Sequence, residues 1–385
     1  MVTEFDITLP RRTVSGPGAV VRLGELAAEH GKHALLCIGG GSVKRTGTLE
    51  KAQHSLAQAG VRVTLFEGIE PDPSVETCER GREVCREAGC DVVIGLGGGS
   101  VMDCAKIIAI AVANEGPVED YQFNRRRFER PGLPYIAVST TSGTGSEANR
   151  VGVLTHHGEK VKKAVLDPLM VPAVAILDPE LTVSVPPEVT RYTGIDALSH
   201  AIESYVSLNA TPFTEGIGLR AVELIARYLP VAVAEPANLE ARAAMQVANY
   251  LGGMALNAGV GAAHILAHPL GALFGIPHGT AIACVLPSVM RHNAEHAPEK
   301  YARLAEALGA EVAGLSTIDA ARRASEALER FLERIAFRPR LSEFGVSLEA
   351  FDEIYASKEK SMGHVKTNPR PATAELLRQI IEESL

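Results

Sequence analysis

The chain of 385 residues is 46% hydrophobic and 22% charged, with a formal net charge of −8 at pH 7. Its length exceeds what one hydrophobic core usually serves, and its composition is that of an ordinary globular protein, so two domains are expected. The acidic balance argues against a nucleic-acid partner, because no surplus of Lys and Arg exists to neutralise phosphates. No apolar run of about 18 residues offers a membrane span.

Met1 to Pro10 carries acidic residues and no apolar stretch of signal-peptide length. Cys37, Cys78, Cys85, Cys90, Cys104 and Cys284 include no CxxC pair, which predicts buried thiols in a reducing, cytoplasmic compartment. Ala34 to Ile38, Val61 to Phe66, Asp91 to Leu96, Tyr135 to Val138 and Val174 to Leu177 read as strands. Leu49 to Gln58, Val75 to Ala88 and Val101 to Ala113 carry apolar residues at helical spacing between them. That alternation predicts a Rossmann-like α/β nucleotide-binding domain built on a parallel sheet. Arg125 to Arg127 and the polar His156-His157 segment read as solvated loops.

After Asp178 the pattern changes. Pro186-Pro187 punctuates the chain. Beyond it Arg191 to Tyr205, Glu215 to Tyr228, Leu239 to Leu256 and Ile318 to Arg334 read as helices, with no convincing strand. The expected domains are 1–185 and 186–385, the second all-α and metal-binding.

Gly39-Gly40-Gly41-Ser42 and Gly97-Gly98-Gly99-Ser100 each follow a predicted strand and precede a helix. Glycines at such a turn let backbone N–H groups approach a phosphate at a helix N-terminus. The run VVIGLGGGSVMDCAK is not a strict GxGxxG, but it supplies strand, turn and helix in order. It assigns a cofactor pyrophosphate to Gly97, Gly98, Gly99 and Ser100, against the blander reading of a tight turn with no ligand. Asp103 reads equally well as a first-turn carboxylate favoured by the helix dipole. In STTSGTGSEAN, hydroxyls from Ser139 to Thr144 can serve a nucleotide or simply cap a helix. No carboxylate ends the strand Ala34 to Ile38 to bind a ribose 2′-hydroxyl. Instead Gly39, Gly40, Gly41 and Ser42 are followed by Lys44 and Arg45, which suits a 2′-phosphate and predicts NADP(H) in preference to NAD(H).

Asp196 and His200 stand four apart in GIDALSHAIESY and share a helix face. His264 and His268 repeat that spacing in GAAHILAHPLG, and His278 follows in IPHG. A lone helical histidine is more often a packed core residue, but these cluster in Gly- and Ala-rich segments that permit close helix approach. One carboxylate with up to four imidazoles and no thiolate suits Fe(II) or Zn(II). Spacing alone leaves all five residues as candidate ligands.

In this order, GGGSVMDCAK, TTSGTGSE, GIDALSHAIE, and HILAHPLG followed by PHG resemble the iron-containing alcohol dehydrogenase family of the dehydroquinate-synthase-like fold. The resemblance runs from GPGAV near residue 16 to NPRPAT near residue 368. It implies a metal on Asp196, His200, His264 and His278, with His268 beside the nicotinamide as the catalytic proton relay. It implies cofactor contacts from Gly97, Gly98, Ser100, Thr140, Thr141, Thr144 and Lys162, the last adjoined by Lys163. The GGGSVKRTG segment looks like the NADPH-dependent aldehyde reductase and butanol dehydrogenase branch. HVKTNPRP departs from the CTGGNPR-like stretch of lactaldehyde reductases, which brings His364 into consideration for the substrate pocket.

The implied reaction is reversible hydride transfer between the nicotinamide and a small aldehyde or ketone polarised by the metal, in a homodimer. Three readings compete with it. A lyase of the dehydroquinate synthase type would consume no net NADPH, and a metallohydrolase would leave the glycine loops unexplained. A non-catalytic binding protein would oxidise no cofactor with any carbonyl.

Overall fold

The computed structural model describes residues 4–363 and 365–385, so His364 lies outside the described residues. Two compact units form, one spanning Thr8–Ser184 and the other Val185–Leu385 together with residues 4–7.

The first unit contains eight strands: β1 (Arg12–Ser15), β2 (His33–Gly39), β3 (Arg62–Ile69), β4 (Val92–Gly97), β5 (Tyr135–Ser139), β6 (Val151–His156), β7 (Val161–Leu166) and β8 (Val174–Leu177). Six of them make a parallel sheet in the order β1-β8-β5-β4-β2-β3. Successive side chains of a strand point to opposite faces, and the burial pattern shows what each face meets. Leu35, Cys37, Val93, Tyr135 and Ala137 join one core with the helices Val75–Ala88 and Gly99–Ala111. Leu36, Ile38, Val92, Ile94, Ile136 and Ile176 join another with Leu23–Ala28 and Thr48–Gln58. Both faces are therefore covered, which is why β2, β4, β5 and β8 read as unbroken apolar runs rather than alternating ones.

The chain leaves β2 toward β3 on one side and leaves β4 toward β5 on the other. The carboxyl ends of β2 and β4 thus flank the point where strand order reverses, the place where doubly wound sheets take ligands. Both glycine triplets lie there.

The edge strand β1 and the antiparallel hairpin β6–β7 were not legible as strands. β1 has no buried residue and β6 and β7 have two each, so none of them carries the continuous apolar signal of the interior strands. His156, expected in a solvated loop, ends β6 instead. Its ring is half-buried, with Nε2 3.1 Å from Glu119 and its edge against Phe123.

Among the described residues no strand follows Leu177. Among the described residues the second unit packs nine α-helices, including Pro187–Val206, Pro212–Ala234, Leu239–Ala255, Ala262–Phe274, His278–Asn293 and Thr317–Arg334. Pro187 and Pro212 occupy the first turns of their helices, where a missing N–H costs nothing. Thr211 and Thr214 close a reciprocal capping box ahead of the second. All these helices share one core. No helix among the described residues is long and apolar enough to cross a membrane.

Candidate active site

Each unit brings a separate set of the expected residues together. In the helical unit, Asp196 and His200 lie one turn apart on Pro187–Val206, His264 lies in the first turn of Ala262–Phe274, and His278 opens His278–Asn293. Asp196 Oδ1 stands 3.7 Å from His200 Nε2, 3.8 Å from His264 Nε2 and 3.5 Å from His278 Nε2. Tetrahedral ligands at bond lengths of about 2.1 Å lie roughly 3.4 Å apart; Asp196, His200 and His264 offer ligand atoms that all lie within 4.8 Å of one another and could hold a metal ion, and His278 adjoins this group at Asp196. The His200 and His264 rings stack with centroids 4.6 Å apart. His268, one turn beyond His264, instead sets its ring at right angles to His278.

Glu203 holds this arrangement and was not singled out in the sequence. It lies on the same helix as Asp196 and His200, seven and three residues on, hence on the same face. Its Oε2 accepts from the Gly261 amide at 2.8 Å and sits 2.6 Å from His264 Nδ1, while Oε1 accepts from the Ala263 amide at 2.7 Å. The Nδ1 contact aims His264 Nε2 toward Asp196. That Nε2 is buried and makes no hydrogen bond. Burial alone would lower the His264 pKa, but the hydrogen bond and charge of Glu203, with Asp196 beyond, outweigh it and raise the value. Two buried carboxylates beside a cluster of imidazoles make an N and O donor set of the kind that a divalent cation fits.

In the sheet unit, β4 and β5 pair Gly97 with Ser139, and the Thr140 amide donates to the Gly97 carbonyl at 3.0 Å. This register lays the Gly97–Ser100 turn against the Thr140–Thr144 loop. A Cβ at Gly99 would fall 2.3 Å from Thr144 Cγ2, and one at Gly98 would fall 3.3 Å from Thr141 Oγ1, so glycine is what permits the contact. Gly39 approaches the same helix, at Val101. Gly40 has nothing within 4 Å of a notional Cβ, and Ser42 opens the next short helix. Lys162 ion-pairs with Asp72 at 2.5 Å, and the Asp72 amide donates to Ser100 Oγ at 3.2 Å. Lys163 turns instead to the Phe123 ring.

Asp103 is not a first-turn dipole carboxylate. It lies further along its helix, fully buried, and accepts from Ser146 Oγ at 2.6 Å and the Val153 amide at 2.9 Å. Lys106 beside it donates to the Ser146, Asn149 and Val151 carbonyls. Burial lowers the Lys106 pKa to about 8, against the opposing charges of Asp103 and Glu147. These two side chains of GGGSVMDCAK therefore anchor the segment that follows the Thr140–Thr144 loop. Lys44, read as a phosphate ligand, ion-pairs with Glu67 on β3.

A family model described as iron-containing alcohol dehydrogenase matches residues 10–179, and one for the C-terminal part of the Fe-containing alcohol dehydrogenase family matches 190–385. The chain is 38% identical over 385 residues to the NAD-dependent methanol dehydrogenase of Bacillus methanolicus, covering 100% of each chain. It is 36% identical to the NADPH-dependent butanol dehydrogenase of Clostridium saccharobutylicum, covering 97% of this chain and 96% of that one. A crystal structure of 1,3-propanediol oxidoreductase superposes with a TM-score of 0.94 at 38% identity, covering 99% of this chain and 100% of that one. With both halves of the chain matched and relatives aligned end to end, the chain belongs to the iron-containing alcohol dehydrogenase family.

Proposed function

We propose that this enzyme reduces small aldehydes to alcohols with NADP(H), using a divalent metal held by Asp196, His200, His264 and His278. The observation that carries the reading is the convergence of three imidazole nitrogens within 3.8 Å of one carboxylate oxygen. When bound there, Fe(II) or Zn(II) would act as a Lewis acid toward a carbonyl oxygen. The nicotinamide would supply the hydride that adds to the carbonyl carbon.

The chain's own residues do the rest. Glu203 fixes the His264 tautomer and ring plane. His268, buried beside His278, delivers the proton that completes the hydroxyl and takes another from solvent, a role suited to an imidazole, which can both donate and accept a proton. The amides and hydroxyls of Gly97, Gly98, Gly99, Ser100, Thr140, Thr141 and Thr144 hold the cofactor pyrophosphate, with Lys162 adding a cation.

The NADP(H) preference is supported by the carboxylate-free end of β2, where Gly39, Gly40, Gly41 and Ser42 precede Lys44 and Arg45. Lys44 would exchange Glu67 for the 2′-phosphate. Methanol, butanol and 1,3-propanediol, named for the relatives, support short aliphatic alcohols and aldehydes as the substrate class. After reconstitution with Fe(II) or Zn(II), a panel of aliphatic aldehydes should oxidise NADPH with a higher kcat/KM than NADH. Equal use of both cofactors would refute the NADP(H) preference, and no turnover with any carbonyl would refute the reading.

A further inference from the structure

Two buried side chains from distant parts of the chain cap the helix that carries His264 and His268. Helix N-termini leave their first amides without intrahelical partners, and Gly261, the residue before this helix, offers no side-chain cap. Glu203 takes the Gly261 and Ala263 amides, and the amide between them, Ala262, donates to Asn368 Oδ1 at 3.1 Å. A Cβ at Gly261 would fall 2.8 Å from Asn368 Oδ1 and 2.9 Å from Glu203 Oε1. Glycine there is what lets both caps close on one turn.

Asn368 also reaches a second helix. Its Nδ2 donates to Asn293 Oδ1 at 2.8 Å and to the Arg370 carbonyl at 2.6 Å, and its Oδ1 receives Asn293 Nδ2 at 2.9 Å. Both donors and both acceptor lone pairs of this buried amide are thus used. Asn293 is the last residue of His278–Asn293, the helix that begins with His278. Ala262–Phe274 and His278–Asn293 pack on each other, joined through Gly275, Ile276 and Pro277. Asn368 ties the open end of that helical hairpin. Neighbouring Thr367 reinforces it, its hydroxyl donating to the Val260 carbonyl.

We propose that Asn368 is a positioning residue for the metal centre. It fixes the two helices that present His264 and His278, and so holds those two imidazoles at the spacing a single cation needs. The inference rests on the metal-ligand reading above. Asparagine is required, because an aspartate of the same shape would set an oxygen against Asn293 Oδ1 and the Arg370 carbonyl.

The test is Zn(II) affinity of the metal-free protein, measured by competition with a chelator, beside its thermal unfolding. Asn368→Ala and Asn368→Asp should each weaken Zn(II) binding by about 10-fold or more, the range for groups that orient ligands. Asn293→Ala, which leaves the Ala262 cap in place, should weaken it less. Asn114→Ala removes a comparably buried asparagine from the sheet unit, where it bridges the Ile110 and Arg130 carbonyls. That variant should lower thermal stability and leave Zn(II) affinity unchanged.

Wild-type affinity in the Asn368 variants would overturn the positioning role, and so would an equal loss in Asn114→Ala. If the Asn368 variants do not fold, Asn293→Ala decides: a weaker site supports the role, an unchanged one overturns it. A wild-type chain that takes up no stoichiometric Zn(II) would instead overturn the metal reading beneath it.

Discussion

The two units offer their candidate ligand sites by opposite means. In the sheet unit the candidate contacts are backbone amides and hydroxyls at the ends of β2, β4 and β5, exposed by glycines that let loops touch. In the helical unit they are side chains from three helices, with Glu203 against the His264 ring and Asn368 on the Ala262 amide. A backbone site depends on strand register and tolerates change in the side chains around it. A side-chain site depends on helix placement and on the hydrogen bonds that fix each ring. Damage to one should therefore leave the other working.

The largest effect is expected from Asp196→Ala. It removes the oxygen around which three imidazoles gather, and should abolish metal uptake and aldehyde reduction while leaving NADPH binding to the sheet unit at its wild-type affinity. Equilibrium fluorescence of NADPH with elemental analysis checks both halves. Gly99→Val makes the mirror experiment. A side chain there meets Thr144 at 2.3 Å, so NADPH affinity should collapse while metal content stays stoichiometric.

A smaller effect separates the two cofactors. Replacing Lys44 and Arg45 together by Gln should raise the KM for NADPH by about 10- to 100-fold, the worth of hydrogen bonds from charged groups to a phosphate, and leave the KM for NADH nearly unchanged. Glu67→Gln, which frees Lys44 from its partner, should shift preference further toward NADPH.

The smallest effect concerns the sheet unit's buried anchor. Burial holds the Lys106 pKa at about 8 against an ordinary 10.5. Between those values the unfolded chain binds the proton that the folded chain has lost, so stability should rise as pH goes from 8 to 10.5. Denaturant melts across that window should show the rise in wild type and lose it in Lys106→Met.

The same contrast explains what could be read from the sequence. Interior strands such as β4 and β8 announce themselves because burial on both faces demands unbroken apolar runs. The half-exposed hairpin β6–β7 makes no such demand, and His156 was misplaced with it. Glycine triplets and i, i+4 pairs of ligating types are local patterns, so Gly97–Ser100 and the Asp196–His200 pair were visible. Spacing left His268 and His278 equivalent; in the structure His278 Nε2 stands 3.5 Å from Asp196 Oδ1, whereas His268 sets its ring at right angles to His278. Supports that work over long sequence separations were not visible. Asn368 meets Ala262 and Asn293 across 106 and 75 positions, and Lys44 gave no hint of Glu67. Glu203 was the exception, since its place three residues after His200 on the same helix face was there to be read.

In the proposed centre one cation is held by a carboxylate and three imidazoles with no sulfur. X-ray absorption at the metal edge of the Zn(II)- or Fe(II)-loaded enzyme reads that donor set. Only N and O neighbours at about 2.0–2.2 Å are expected, with the multiple-scattering signature of three imidazoles. A sulfur shell near 2.3 Å, or an oxygen shell without imidazole scattering, would contradict it.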